Sequence, residues 1–209
     1  MKKLFTLTAA IMLVAGLAGS AAASSIAGKI WYAGIDVDEV DPALMYGATA
    51  SLDLSENLWI SGMYLMGTYE DVFGPGLDFD TSDAEAVIGV TLNILDLGIG
   101  ARYSEWTLNA DDDDLGDMAI YGPMAYIGIG NLIGELPIGW YVGGSYMFLD
   151  LGDASDIDGA ETFEHYNVEG GLFLAMEPLS ATLGYRIKDY VNFDDSMFSG
   201  VAASLGFGF

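Results

Sequence analysis

Ser199-Gly-Val-Ala-Ala-Ser-Leu-Gly-Phe-Gly-Phe209 decides how the rest of the chain is read. One phase of the stretch carries Val201, Ala203, Leu205, Phe207 and Phe209. The other carries Gly200, Ala202, Ser204, Gly206 and Gly208. A period of two residues is that of a β-strand, whose successive side chains point to opposite faces, and it leaves no stripe at helical spacing. One face is apolar and the other small and polar.

The same period recurs upstream. From 44 to 53, Leu44, Tyr46, Ala48, Ala50 and Leu52 oppose Thr49, Ser51 and Asp53. From 85 to 94, Ala86, Ile88, Val90 and Leu92 oppose Glu85, Val87, Gly89 and Thr91. From 97 to 107, Leu97, Ile99, Ala101 and Tyr103 oppose Gly98, Gly100, Arg102 and Ser104. Segments 138–149, 164–176 and 180–190 repeat the pattern, with Ser145, then Asn167 and Glu169, then Arg186 and Lys188 on the polar phase. Segments 27–36 and 58–69 are apolar on both phases, so their faces stay unassigned. Segment 118–130 carries Pro123, which sits badly in a central strand unless a bulge absorbs it. Pro123, Pro137 and many glycines also break any helical reading of 118–149.

Segments of about ten residues with apolar-out, polar-in alternation are the signature of a transmembrane β-barrel. The count is ten, with eight if 27–36 or 118–130 is not a strand. Short joins fall near 54–57, 95–96, 131–137 and 176–179. Longer ones fall near 36–43, 70–84, 109–117, 150–163 and 190–198, and they hold most of the 31 acidic residues. Tyr46, Tyr103, Tyr121, Tyr146 and Tyr166 would line one membrane interface, and Trp140, Phe207 and Phe209 the other.

Composition demands the same segregation. The chain of 209 residues is 52% hydrophobic yet has a net charge of −25. Disorder is excluded by the first figure, since disordered chains are poor in apolar residues. Nucleic-acid binding is excluded by the second, since phosphate contacts need clustered lysine and arginine. There is no cysteine, hence no disulfide, thiolate metal site or thiol-linked lipid. The start, Lys2 and Lys3, an apolar run from Leu4 to Ala18, then Ala21-Ala22-Ala23, predicts a signal peptide over 1–23 and a single exported barrel domain over 24–209. Beyond that cut the basic residues are Lys29, Arg102, Arg186 and Lys188.

The final alternating strand ending in phenylalanine, with Leu205, Phe207 and Phe209 outward, resembles the C-terminal assembly signal of bacterial outer-membrane proteins. With the export signal, the chain resembles the small outer-membrane barrels that include the OmpA membrane domain, OmpW and the opacity proteins. That resemblance implies insertion by the barrel-assembly machinery. It also implies contact with outer-membrane lipid and lipopolysaccharide, and termini on the periplasmic side.

Three constellations are candidates for function. Arg102, Glu169, Arg186 and Lys188 fall on the inward phase, and a turn centred on 177–178 sets Glu169 opposite Arg186. They would form either a charged constriction or a polar plug, and the glycine-rich inward face leaves space for the former. Asp111, Asp112, Asp113, Asp114 and Asp117, with Asp153, Asp156 and Asp158, supply the oxygen ligands that Ca²⁺ or Mg²⁺ prefers. The second loop misses a calcium-binding motif, with Ala154 and His165 at ligand positions, so weak binding is the expectation and a solvated acidic rim the simpler one. His165 is the lone histidine. A ten-stranded barrel with Asp78, Asp80, Glu164 and His165 near its rim resembles the omptin proteases, but their Asp-x-His spacing is absent and position 163 is Phe. The expected function is therefore a narrow, cation-preferring pore under an acidic rim. The alternative is a non-conducting barrel whose loops meet divalent ions or envelope and host partners, with an enzyme third.

Overall fold

Each alternating segment becomes a strand. They are β1 (Ala23–Ile35), β2 (Ala43–Asp53), β3 (Leu58–Tyr69), β4 (Leu77–Leu92), β5 (Leu95–Ala110), β6 (Asp113–Leu132), β7 (Ile138–Met147), β8 (His165–Met176), β9 (Leu179–Tyr190) and β10 (Phe198–Gly208). The computed structural model describes residues 23–36, 40–72, 74–110, 113–152, 164–191 and 197–209. Apart from Ala23, the residue that opens β1, the expected signal peptide lies outside the described residues. Neighbours in sequence pair antiparallel, and β1 pairs with β10 from Ser25↔Gly208 to Ile35↔Phe198, which closes a ten-stranded up-and-down barrel. Closure gives every strand two partners, so no long edge is left with unpaired backbone groups.

The barrel is apolar outside and polar within. Ile99, Leu183 and Leu205 are 70%, 60% and 67% exposed, whereas Arg102, Arg186 and Lys188 are buried. Water outside would reverse that arrangement; lipid outside requires it. The two unassigned strands now have faces. Lys29, Trp31 and Ala33 of β1 and Leu65 and Tyr69 of β3 are buried, while Ile26, Ile30 and Tyr32 are exposed.

Two corrections concern β4 to β6. Segments 70–84 and 109–117 are largely strand rather than loop, because β4 begins at Leu77, β5 runs to Ala110 and β6 starts at Asp113. The turn between β4 and β5 is Asn93–Ile94 rather than 95–96, with Leu92 opposite Leu95. Asn93 takes a positive φ of 62°, which asparagine tolerates in a tight turn. Pro123 needs no bulge. Its carbonyl accepts from Phe148 N at 3.4 Å on the β7 side, and β6–β7 pairing starts one residue later, at Met124↔Met147. Its missing N–H therefore falls where that ladder ends.

The inward glycines do not leave space. A Cβ on Gly89 would lie 2.4 Å from the Trp59 ring, one on Gly139 2.2 Å from the Phe173 ring, and one on Gly128 2.6 Å from Tyr126 Oη. The rings lie over the bare backbone, and Trp59 meets Tyr126 edge-on at 5.7 Å. Gly89→Ala should therefore displace Trp59, costing about 1–3 kcal/mol as overpacking does. Urea unfolding followed by tryptophan emission checks this. Gly28→Ala, where a Cβ meets nothing within 4 Å, should be silent.

Candidate functional site

The lumen is crossed by a layer of ion pairs, a chain of five groups from Lys29 to Arg102 and, on its loop side, the separate pair Lys188–Asp83. Strand alternation sends Lys29 (β1), Asp83 and Glu85 (β4), Arg102 (β5), Glu169 (β8) and Arg186 and Lys188 (β9) inward. Arg102 Nη2 donates to Glu85 Oε1 at 2.8 Å, and Asn167 Nδ2 donates to the same oxygen at 3.0 Å. Arg186 Nη2 reaches it too, at 3.4 Å, and Arg186 Nη1 lies 3.9 Å from Glu169 Oε2. Lys29 pairs with Glu169 Oε2, and Tyr141 Oη donates to Glu169 Oε1 at 2.7 Å. On the loop side Lys188 pairs with Asp83, and Ser104 Oγ donates to Asp83 at 2.6 Å. Arg102 also donates to Ser145 of β7.

These groups are withdrawn from water. Asp83, Arg102, Arg186 and Lys188 are each at most 3% exposed. Burying a charge is costly unless it is paired, and a partner lost from such a pair leaves the other charge stranded. The layer is thus intolerant of single deletions. It holds four cations against three carboxylates, so its fixed charge is opposite in sign to that of the rim.

Rings close the barrel on both sides of the layer. Towards the loops, Arg186 sits 5.0 Å over Trp31, and Lys188 Nζ lies 5.1 Å from the Tyr190 ring. Tyr190 packs on Trp106 at 4.7 Å and His165 at 4.8 Å, and Phe198 lies 5.8 Å from Tyr69. Towards the turns stand Trp59, Tyr126 and Phe173, seated over glycine.

The four charges singled out from sequence, Arg102, Glu169, Arg186 and Lys188, come together here, and Glu169 stands opposite Arg186 in the register. Sequence reasoning missed three members. Lys29 was lost because the faces of its strand were unassigned, although a lone lysine among apolar residues could have set the phase. Glu85 lay on the polar phase of 85–94 but was not grouped with the lumen charges, and Asp83 fell in the expected loop 70–84, although the same alternation continued two residues backward puts it inside.

Asp111, Asp112, Asp153, Asp156 and Asp158 lie outside the described residues. Asp113, Asp114 and Asp117 belong to β6 rather than to a loop, and Asp117 is exposed. Among the described residues no three His, Asp or Glu side chains converge as a metal site. The omptin-like arrangement is not assembled either. His165 is fully buried inside, while Asp80 faces outward to Thr68 (2.5 Å) and Asn109 (3.1 Å), and Asp78 accepts from Asp71 N. Glu164 accepts from Tyr146 Oη on the outer face. Leu205, Phe207 and Phe209 are exposed on the outside of the barrel's turn end.

No protein-family model matches the chain, and no curated protein matches it. Solved structures do. The N-terminal β-barrel domain of Pseudomonas aeruginosa OprF is 14% identical, over 88% of this chain and 97% of that one, with a TM-score of 0.34. The translocator domain of the autotransporter NalP from Neisseria meningitidis is 10% identical over 99% and 98%, with a TM-score of 0.48. Neisserial surface protein A is 12% identical over 90% and 96%, with a TM-score of 0.37. The likeness is one of β-barrel architecture.

Proposed function

We propose that the protein is a bacterial outer-membrane barrel, closed by its own side chains, that works through its rim rather than its lumen. The observation that carries this reading is the ion-pair layer from Lys29 to Asp83, with rings packed above and below it. The narrow-pore reading relied on space over the inward glycines, and Trp59, Tyr126 and Phe173 occupy that space. Its cation preference drew on the acidic rim, whereas the lumen layer carries a cation excess.

In this reading the turn end and both termini face the periplasm, and β10 carries the signal read by the barrel-assembly machinery. The acidic loops face outward. Their field gathers Ca²⁺ or Mg²⁺ weakly and meets lipopolysaccharide, neighbouring envelope molecules or host surfaces. No chemistry is assigned to the barrel, since His165 bonds no carboxylate among the described residues and is shut from solvent.

Fractionation of the producing cells, followed by surface proteolysis and a vesicle-swelling assay with a small sugar, tests the proposal. The expected result is recovery with the outer membrane, nicking confined to the long connections, and no swelling above protein-free vesicles. Recovery with the soluble fraction would overturn the membrane assignment, and swelling would overturn the closed lumen.

A further inference from the structure

On the outer wall of β2 to β5, at their loop ends, lies a groove of about 170 Å³. Tyr46, Tyr64, Asp80, Ser82, Glu105 and Thr107 contribute to its lining. Its level is fixed by the register. Tyr64, Ala84, Tyr103 and Tyr121 stand in one cross-strand row, and Tyr103 stacks on Tyr121 with ring centres 6.4 Å apart. Below that row the wall is apolar, with Ala86, Ile88, Ala101 and Ile99. Above it come Ser82 opposite Glu105, then Asp80 opposite Thr107. Tyrosines favour the boundary between hydrocarbon and headgroups, so the groove opens at headgroup height.

Several of its polar groups lack partners. Ser82 is only 7% exposed, and its hydroxyl makes no hydrogen bond among the described residues. The Glu105 carboxylate and the Thr107 hydroxyl have none either, while both Asp80 oxygens are taken, by Thr68 and Asn109. The Ser82 hydroxyl is not sealed away, so it opens to the groove, where water or a ligand can bond it. Every basic residue after Lys3 points into the lumen, so nothing cationic on this wall attracts a phosphate.

We infer that the groove binds a sugar ring of the outer-leaflet glycolipid headgroup directly, by hydrogen bonds. The inference rests on the membrane reading above. Carboxylate and hydroxyl oxygens accept from sugar hydroxyls, Ser82 and Thr107 donate to them, and the faces of Tyr46 and Tyr64 suit the C–H face of the ring. The volume is of the order of one hexose. Glu105 is the main acceptor, since hydrogen bonds to charged groups are the strong ones.

The test is native mass spectrometry of the refolded protein titrated with core-bearing lipopolysaccharide, with and without EDTA. Insertion into phospholipid vesicles is scored first by heat-modifiable mobility, so failure of the membrane reading shows there, before any glycolipid is added. The expected result is binding that survives EDTA and falls about tenfold in Glu105→Gln and further in Glu105→Gln with Ser82→Ala, with thermal stability unchanged. Asp189→Asn, which removes the same charge from the loop end of the opposite wall, where the carboxylate accepts from Tyr166, should bind as wild type. Loss of binding in EDTA would mean a metal-bridged phosphate instead. Equal weakening in Asp189→Asn would mean diffuse charge, and equal competition by phosphatidylglycerol would mean general lipid adhesion. Each of these outcomes overturns the inference.

Discussion

Asp83→Asn is expected to cost about 3–5 kcal/mol of folding stability, the usual penalty for stranding one member of a buried ion pair. Asp83 accepts from Lys188 and Ser104, and Lys188 is only 3% exposed, so the ammonium has nowhere to reach water. The remaining amide cannot carry the compensating charge, and Arg102 and Arg186 in the same layer add repulsion. Urea unfolding of the barrel refolded in vesicles reads the effect as a lower midpoint. Lys188→Met alone should cost a similar amount, because it strands Asp83. The double replacement Asp83→Leu with Lys188→Met should return close to wild type, since an apolar pair of similar volume often substitutes for a buried salt bridge without loss. Asp117→Asn on the exposed outer face should stay within about 0.5 kcal/mol, as surface changes do. A double replacement as unstable as either single one would mean that the residues act through shape rather than charge.

Trp31→Ala is the second large effect. Trp31 is fully buried and carries the Arg186 guanidinium 5.0 Å above its ring. Removing a large buried aromatic costs about 3–5 kcal/mol through lost burial and the cavity left behind. Water entering a lumen lined with charges would bring the cost towards the lower end. Trp31 packs against Arg186, so its loss opens the layer to water from the loop side and frees the guanidinium, and the variant is expected to leak small ions. Refolded Trp31→Ala should therefore combine a lower unfolding midpoint with measurable ion flux. A destabilised variant that stays tight would mean that the rings of Tyr69, Tyr190 and Phe198 seal the loop end without Trp31.

The ten strands were legible because lipid outside and a polar lumen within impose one alternation on every strand. Leu97, Ile99 and Ala101 against Gly98, Gly100 and Arg102 is typical. The extension of β4 to β6 was not legible, and the reason is a reversal of polarity along single strands. In β4, Ile88 and Ala86 face out within the apolar band, but beyond the tyrosine row Asp80 and Asp78 face out and Phe79 packs inside. In β5, Ile99 faces out and Arg102 in, whereas farther along Trp106 packs inside and Glu105 and Thr107 face out. Past the membrane boundary the barrel obeys the logic of a soluble protein. Acidic residues there read as loop when they are the wet face of a strand.

The lumen was half legible for a related reason. Phase alone placed Arg102, Glu169, Arg186 and Lys188 inside, and phase carried two residues farther would have added Asp83. What phase cannot give is how an inward ring fills the room over an inward glycine on the neighbouring strand. Trp59 over Gly89 and Phe173 over Gly139 are relations between strands, fixed by register and side-chain direction. That difference separates a passage from a packed interior.

Planar-bilayer conductance of the wild-type protein under a salt gradient tests the closed lumen most directly, with heat-modifiable mobility proving that folded barrel is in the membrane and Trp31→Ala as the leaking reference. The ion-pair layer predicts no discrete steps from wild type and steps from Trp31→Ala. Discrete wild-type steps of reproducible size would contradict it.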